Sequence, residues 1–319
     1  MTSRQFLRYW LEHIRKDIAQ FSSTNTQENL NAAKVRNIPV FLPSLAEQRA
    51  IVAFLDRETA RIDVLIANKE RLVELLEEKR TALISQAVTR GLDVTVPMKE
   101  SGVAWLGTIP SHWQVKRVKW VARMESGHTP DKKVAEYWED GDIPWVSLND
   151  TEYLRTHDYI ESTAVATTAA GLANSSAHLL PVGTVVFSRD ATIGRCGITA
   201  NPMAVSQHFI GWACSEALLP QYLLYVFRSM TQELDRLTAG ATLRTIGMPE
   251  VRTLVTPVPP RPEQQQIVSF VRDRSARLEK LVAEVKDAVA HMREYRTALI
   301  TAAVTGRIDV RQETDAAKA

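Results

Sequence analysis

Cysteine is nearly missing from this chain: of 319 residues only Cys196 and Cys214 carry a thiol. Two thiols cannot form a disulfide scaffold, nor the four-cysteine set of a structural zinc site. No run of about eighteen apolar residues occurs, so no segment reads as a membrane-crossing helix. An excess of one charge is missing too. Lys and Arg number 39 against 37 for Asp and Glu, a formal net charge of +2, so any nucleic-acid contact must come from local patches. Between Met1 and Arg15, Arg4, Arg8, Glu12 and His13 interrupt Phe6, Leu7, Tyr9, Trp10 and Leu11. A signal peptide would need an unbroken apolar core there, followed by a small-residue cleavage site. A soluble protein in a reducing, cytoplasmic setting is the expectation, without a membrane partner.

What is present is an internal repeat. Pro43-Ser-Leu-Ala-Glu47-Gln48 returns as Pro259-Pro-Arg-Pro-Glu263-Gln264, and Arg80-Thr-Ala-Leu-Ile84 returns unchanged as Arg296-Thr-Ala-Leu-Ile300. Ala87-Val88-Thr89 and Asp93-Val94 return as Ala303-Val304-Thr305 and Asp309-Val310. Every match lies at one constant offset, the one that carries Pro43 to Pro259, without a gap. Of the 52 positions from Pro43 to Val94, 22 are identical. Identity at turn residues as well as apolar ones separates this from two helices that merely share a composition. The offset extends upstream, where Leu7 and Tyr9 match Leu223 and Tyr225, and Val35-Arg36 match Val251-Arg252. One repeat unit is thus as long as the step from Pro43 to Pro259, and the chain holds roughly one and a half such units. Residues 1–94 read as the last part of a unit and 98–310 as a complete one, which points to an N-terminally truncated or naturally shortened form.

Both repeated segments read as long helices. Leu55, Ile62, Leu76 and Leu83 recur on a heptad spacing, with Ile51, Leu65 and Leu72 as a companion row. In the second segment Val271, Leu278, Val285, Met292 and Leu299 form one row, and Ile267, Leu281, Ala288 and Tyr295 the other. Two apolar rows held over several heptads predict a coiled-coil seam. Each helix finds its simplest partner in the other, running antiparallel, because the segment between them is long enough to return the chain. Pro43 and Pro262 mark the starts, and Gly91 and Gly306 the ends.

Residues 95–258 change character. Gln114–Val118, Ile143–Ser147, Thr184–Ser188 and His208–Trp212 read as strands, separated by turn signals at Ser126-Gly127, Asp140-Gly141-Asp142, Pro181-Val-Gly183 and Asn201-Pro202. Pro220 to Leu237 reads as one amphipathic helix. The fold expected is an α/β (α+β) domain flanked by two long helices in an antiparallel coiled coil. The segments are 1–42, resembling the closing part of such a domain, a helix over 43–94, the complete domain over 95–258, a second helix over 259–310, and a disordered tail over 311–319.

Several motifs now fall in order. They are Met98-Lys-Glu-Ser-Gly-Val-Ala-Trp105-Leu-Gly-Thr-Ile-Pro110-Ser-His-Trp113, then Ser126-Gly-His-Thr-Pro130, then Gly141-Asp-Ile-Pro-Trp145-Val-Ser. Leu180-Pro-Val-Gly183-Thr-Val-Val-Phe-Ser188-Arg189-Asp-Ala-Thr-Ile-Gly194, Ser206-Gln207-His-Phe, Gly240-Ala-Thr-Leu-Arg244 and Pro259-Pro…Glu263-Gln264 follow. Their order, together with the helical repeat, resembles the specificity (S) subunit of type I restriction-modification systems over nearly the whole chain. The departure is the first half, since that family carries two target recognition domains and only the second is whole here.

The resemblance implies a DNA-recognition subunit with no catalytic centre and no cofactor of its own. Each recognition domain would read one half of a split double-stranded DNA site. The long helices would separate the domains and dock the modification (methyltransferase) subunits, with the restriction subunit as a further partner. Adenine methylation from S-adenosylmethionine and ATP-driven translocation and cleavage would belong to those partners. Two copies of a shortened subunit pairing through exposed helix faces and residues 1–42 would restore two recognition domains. The fragment reading expects residues 1–42 to lack a proper core.

The residues themselves agree on what is missing: a glycine-rich phosphate loop, a Walker lysine, a nucleophile elbow, and histidines at metal-ligand spacing. A restriction-related nuclease remains the enzymatic alternative, and a regulatory half-subunit or remnant the third reading. Phosphate contacts call for Lys and Arg, base edges for Arg, Asn, Gln and hydroxyls. The DNA-binding candidates are Lys116, Arg117, Lys119, Arg123, Thr129, Asn149, Arg189, Arg195, Gln207 and Arg244, with Lys132, Lys133 and Arg155 as further basic residues. Trp105, Trp113, Trp120, Trp138, Trp145 and Trp212 are read as packing residues.

Overall fold

The computed structural model describes residues 3–15, 36, 38–238 and 245–310. The chain opens with α1 (Arg4–His13) and α2 (Leu45–Arg90). Next come β1 (Met98–Glu100), β2 (Thr108–Pro110), β3 (Gln114–Arg117), β4 (Ala122–Ser126), β5 (Ile143–Val146), α3 (Thr151–Thr156), β6 (Tyr159–Ile160), β7 (Ala166–Thr167) and α4 (Ala169–Ala173). Then follow β8 (Val185–Ser188), β9 (Cys196–Thr199), β10 (Ala204–Val205), β11 (Phe209–Cys214), α5 (Pro220–Ser229), α6 (Thr231–Leu237), α7 (Met248–Val251), β12 (Val255–Val258) and α8 (Arg261–Val304). Two compact units result: unit 1 takes residues 1–77 and 278–319, and unit 2 takes 78–277. The division falls inside both long helices.

Unit 1 is helical. Ser3 caps α1 by accepting the Phe6 N–H. A reciprocal box opens α2: Glu47 N–H donates to Ser44 Oγ at 3.3 Å, and Ser44 N–H donates to Glu47 Oε2 at 3.0 Å. The α2 and α8 segments of this unit run antiparallel. Asp63 pairs with Arg296 (2.8 Å), Glu70 with Arg293 (2.6 Å) and Glu77 with Lys286 (3.8 Å), while Ile62, Ile66 and Val289 pack between them.

Unit 2 is built on a five-stranded sheet in the order β4-β11-β8-β9-β6. Only β6 runs parallel to its neighbour. A three-stranded sheet, β10-β5-β7, lies at its margin, and β3 pairs with β12. Phe187 and Trp212 of the large sheet pack on Phe227 of α5, with ring centroids 4.8 and 6.3 Å away. Tyr222 of α5 donates to Val88 O at 3.0 Å, tying the sheet's covering helix to the end of α2. The helix ends where Gly91 takes φ 73°, which L side chains adopt only at a cost.

One arrangement occurs in both units. α1 and α5 start one repeat offset apart, at Arg4 and Pro220, and so do α2 and α8, at Leu45 and Arg261. In unit 1 the buried Gln48 accepts Ser3 N–H through Oε1 at 2.8 Å and donates through Nε2 to Pro43 O at 2.9 Å. In unit 2 Gln264 accepts Leu219 N–H at 2.8 Å and donates to Pro259 O at 2.9 Å. Phe6, Tyr9, Ile51, Leu55, Ala303 and Val304 form the first hub's core. Tyr222, Tyr225, Ile267, Val271, Ala87 and Val88 occupy the corresponding places in the second.

In the helices the structure departs from the sequence reading in three places. The helix expected over 220–237 breaks at Met230, whose N–H bonds to Phe227 O at 3.2 Å, a tight turn that places its side chain in the core at 1% exposure. The companion row of each seam holds at its first residue, Ile51 and Ile267, both buried, but along the rods the covered column sits one residue further on. Val52, Thr59, Ile66, Val73, Arg80 and Ala87 are covered on α2, whereas Leu65 (43%) and Leu72 (37%) are exposed. The same holds on α8 for Val268, Ser275, Val282, Val289, Arg296 and Ala303 against exposed Leu281 and Tyr295. Polar Thr59 and Arg296 fill seam positions because each is satisfied there. Thr59 Oγ1 donates to Leu55 O at 2.6 Å, and Arg296 pairs with Asp63 and Glu12. Finally, α1 does not lack a core: Phe6, Tyr9, Trp10 and Ile14 are buried against the ends of both long helices.

Candidate nucleic-acid interface

The segment after β4 is held down at several points. A Cβ on Gly127 would lie 2.2 Å from the carbonyl oxygens of Val205 and Ser206, so only glycine lets these backbones cross. His128 N–H donates to Val205 O at 3.1 Å. Trp145 Nε1 donates to His128 O (3.3 Å) and Trp138 Nε1 to Asp131 O (3.1 Å), the two indoles meeting edge to face at 5.0 Å. Asp131 Oδ1 accepts Lys133 N–H at 2.9 Å. This bracing leaves Thr129 half-buried and Lys132 and Lys133 exposed.

A second loop leaves β8. Ser188 Oγ donates to Thr192 O and accepts Arg195 N–H at 3.1 Å. Ala191 takes φ 58° and Gly194 φ 83°. A left-handed non-glycine residue costs about 1–2 kcal/mol and persists where surrounding bonds enforce it. Ser188 supplies that enforcement, its carbonyl also accepting Gly194 N–H at 3.0 Å, while Arg189 donates Nε to Gln207 O at 3.1 Å and Nη1 to Ile246 O at 3.0 Å. Its fork therefore clamps loops together.

The loops meet in one chain of side chains. Thr129 Oγ1 donates to Gln207 Oε1. Gln207 Nε2 lies 3.3 Å from His208 Nε2, and His208 Nδ1 lies 2.8 Å from Asp190 Oδ2. Gln207 is exposed and His208 half-buried. Hydroxyl, amide and imidazole together present donors and acceptors suited to base edges. His208 Nε2 faces an amide, not a hydroxyl or thiol, so the His208–Asp190 pair orients a ring without activating a nucleophile. Neither thiol compensates: burial pushes Cys196 up to about 11 and Cys214 up to about 12. Among the described residues, no three His, Cys, Asp or Glu side chains are grouped as metal ligands.

The structure thus brings together Thr129, Arg189 and Gln207 of the expected residues. Asn149 joins their end of the domain, because β5 and β10 are parallel and Ser147–Asn149 leave on the same side as Ser206–Gln207. Arg195 lies just before β9, beside a cavity of about 460 Å³ formed with Arg228 and Asp235. Lys116 and Arg117 lie on β3 against β12, away from this cluster in the pairing, with Lys119 just beyond in a short 3-10 turn. Arg123 pairs with Glu125 at 3.2 Å and lies across from Ala213, toward the other end of β4. Arg244 lies outside the described residues. Trp120 is an exception to the packing reading, being 65% exposed with the Arg117 guanidinium 5.4 Å from its ring centre. Sequence reasoning missed His208 and Asp190 as partners of Gln207. Their signal was adjacency to Gln207 and Arg189 in two motifs already singled out.

The chain matches the type I restriction modification DNA specificity domain over residues 2–75 and 110–287. The MjaIX specificity subunit of a type I restriction enzyme from Methanocaldococcus jannaschii is 30% identical over 171 residues, covering 52% of this chain and 38% of that protein. The EcoR124I/EcoR124II specificity subunit from Escherichia coli is 24% identical over 284 residues, covering 85% of this chain and 63% of its own length. The chain therefore spans less than two thirds of either relative. Among solved structures, a chain of a type I R-M system superposes with a TM-score of 0.74 at 17% identity, covering 94% of this chain and 70% of that one. The HsdS subunit from Thermoanaerobacter tengcongensis superposes with a TM-score of 0.55 at 18% identity, covering 96% and 71%. At these identities the superpositions establish a shared fold.

Proposed function

The chain belongs to the type I restriction-modification DNA specificity family, and from that membership we propose that it is a sequence-reading subunit without a catalytic centre. Unit 2 reads one half of a split site in double-stranded DNA. The observation that carries this reading is the Thr129–Gln207–His208–Asp190 chain, displayed on loops braced by Gly127, Trp138, Trp145 and Arg189. Rigid loops hold base-reading groups at fixed positions, and Lys132 and Lys133 beside them suit phosphates. Asn149 and Arg195 flank the reading surface. Lys116, Arg117 and Lys119 serve at most the backbone.

Modification subunits dock on the long helices, and the restriction subunit joins through them. Supporting this is an exposed apolar stripe on α2 in unit 1, formed by Val64 (59%), Leu65, Leu72 and Leu75 (46%). These residues recur on one helical face that flanks the covered seam, where a fully solvated face would carry charge.

The test is co-expression with the modification subunit, followed by methylome sequencing. The expected outcome is a new split adenine-methylated motif. Gln207→Ala should relax or change one base of it, whereas Lys132→Ala with Lys133→Ala should weaken binding to all sequences and reduce the salt slope by about one per lost contact. A stable complex that writes no motif would sink the DNA-reading role and leave a competitor or remnant.

A further inference from the structure

The two hubs differ in what lies over them. In unit 2, β12 is paired along its length with β3, from Val255 opposite Arg117 to Val258 opposite Gln114. Just before β3, fully buried Trp113 donates Nε1 to Glu263 Oε2 at 2.9 Å, with its ring against Gly91. The counterpart of β12 in unit 1, at the repeat offset, is Pro39-Val40-Phe41-Leu42. Among the described residues, no strand pairs with it. Phe41 is 57% exposed and Leu42 53%, where Pro257 is buried and Val258 half-buried. Trp10 covers only part of the segment, donating Nε1 to Pro39 O at 3.1 Å and stacking on Phe41 at 6.5 Å. Alongside lies a cavity of about 260 Å³, lined by Phe41, Pro43, Ala50, Ile51, Val304 and Ile308.

We propose that this groove of unit 1 is a docking site for a polypeptide segment with the chemistry of residues 108–118. That segment is a β-strand that pairs with residues 39–42, preceded by an indole that enters the cavity. The warrant is internal to the molecule. The same buried glutamine, the same helix starts and the same edge segment are assembled twice, and in unit 2 such a segment is seated on them. An unpaired edge beside exposed apolar side chains is what strand addition requires. The inference stands apart from whether unit 2 reads DNA.

The test uses the full chain and a labelled synthetic peptide of residues 108–119, followed by fluorescence anisotropy and by hydrogen exchange. Saturable binding is expected, with new protection at residues 38–51 and 300–310. Replacing the peptide's tryptophan by alanine should weaken binding by at least about tenfold, since a buried indole is the usual anchor of such contacts. Phe41→Asp and, separately, Leu42→Asp in the chain should do the same. Both side chains are largely exposed, and circular dichroism checks that each variant is folded. Absence of saturable binding, binding indifferent to both chain variants, or protection confined to unit 2 would overturn the proposal. So would a dimer in light scattering that Phe41→Asp dissolves, which would assign the groove to a second copy of the chain.

Discussion

Gln48 and Gln264 hold the starts of two long helices with the same bonds at the same lengths, 2.8 Å from a backbone donor and 2.9 Å to a proline carbonyl. Around them the units diverge. Tyr9 reaches Asp56 on α2 itself at 2.7 Å, keeping unit 1 closed on its own helices. Its counterpart Tyr225 reaches Asp158 at 3.1 Å, next to β6, and Arg228 pairs with the same carboxylate. In unit 2 the hub is therefore bonded to the strand domain it carries. The comparison teaches that one helical joint is built from the same bonds in both units, whatever it is bonded to beyond itself. In unit 2 the sheets, loops and candidate reading surface are carried on that joint.

The largest test of that comparison is Trp113→Ala. Emptying the fully buried indole site should cost about 3–5 kcal/mol. Hydrogen exchange should quicken in α5 and β12 while α1 keeps its protection; equal loosening of α1 would mean that the two hubs open as one. Within unit 1, Ile66→Ala should lower stability to urea by about 2–5 kcal/mol, against less than about 0.5 for Leu65→Ala. Equal losses would break the seam register. Gln48→Leu and Gln264→Leu each leave one part-buried backbone N–H without its acceptor and should cost about 1–3 kcal/mol apiece. A large effect at one position and none at the other would show that the hubs only look alike.

The smallest effect is chemical. Both cysteines lie in unit 2, and burial raises Cys196 to about 11 and Cys214 to about 12. A raised thiol pKa leaves little thiolate at pH 8, so iodoacetamide should label the native chain slowly and the urea-unfolded chain fast. Labelling should accelerate only as pH rises toward those values. Because unit 1 has no thiol, the native rate reports opening of unit 2 alone.

Much of this was legible in the chain. The constant offset of the repeat matched Leu7 and Tyr9 to Leu223 and Tyr225, and the starts and ends of the two long helices to each other, from the residues alone. The four strand segments and the two long helices also follow from local pattern. The companion seam rows did so only at Ile51 and Ile267; beyond them Thr59 and Ser275 are polar yet buried, while Leu65 and Leu281 are apolar yet exposed. Thr129, Arg189 and Gln207 were legible as candidates, though Arg189's role as a clamp between loops was not.

Order along the chain set what depends on neighbours within a few residues: helix starts at Ser3 and Ser44, the stop at Gly91, the heptad period, and the β-like runs. Packing alone decided which column of each helix turned inward, where the helix after Pro220 broke, and which residues joined Gln207. The reason is physical. Propensity and capping act over one or two turns. A seam column, a buried Met230 or a His208–Asp190 contact instead gains its energy from partners that only folding brings within reach.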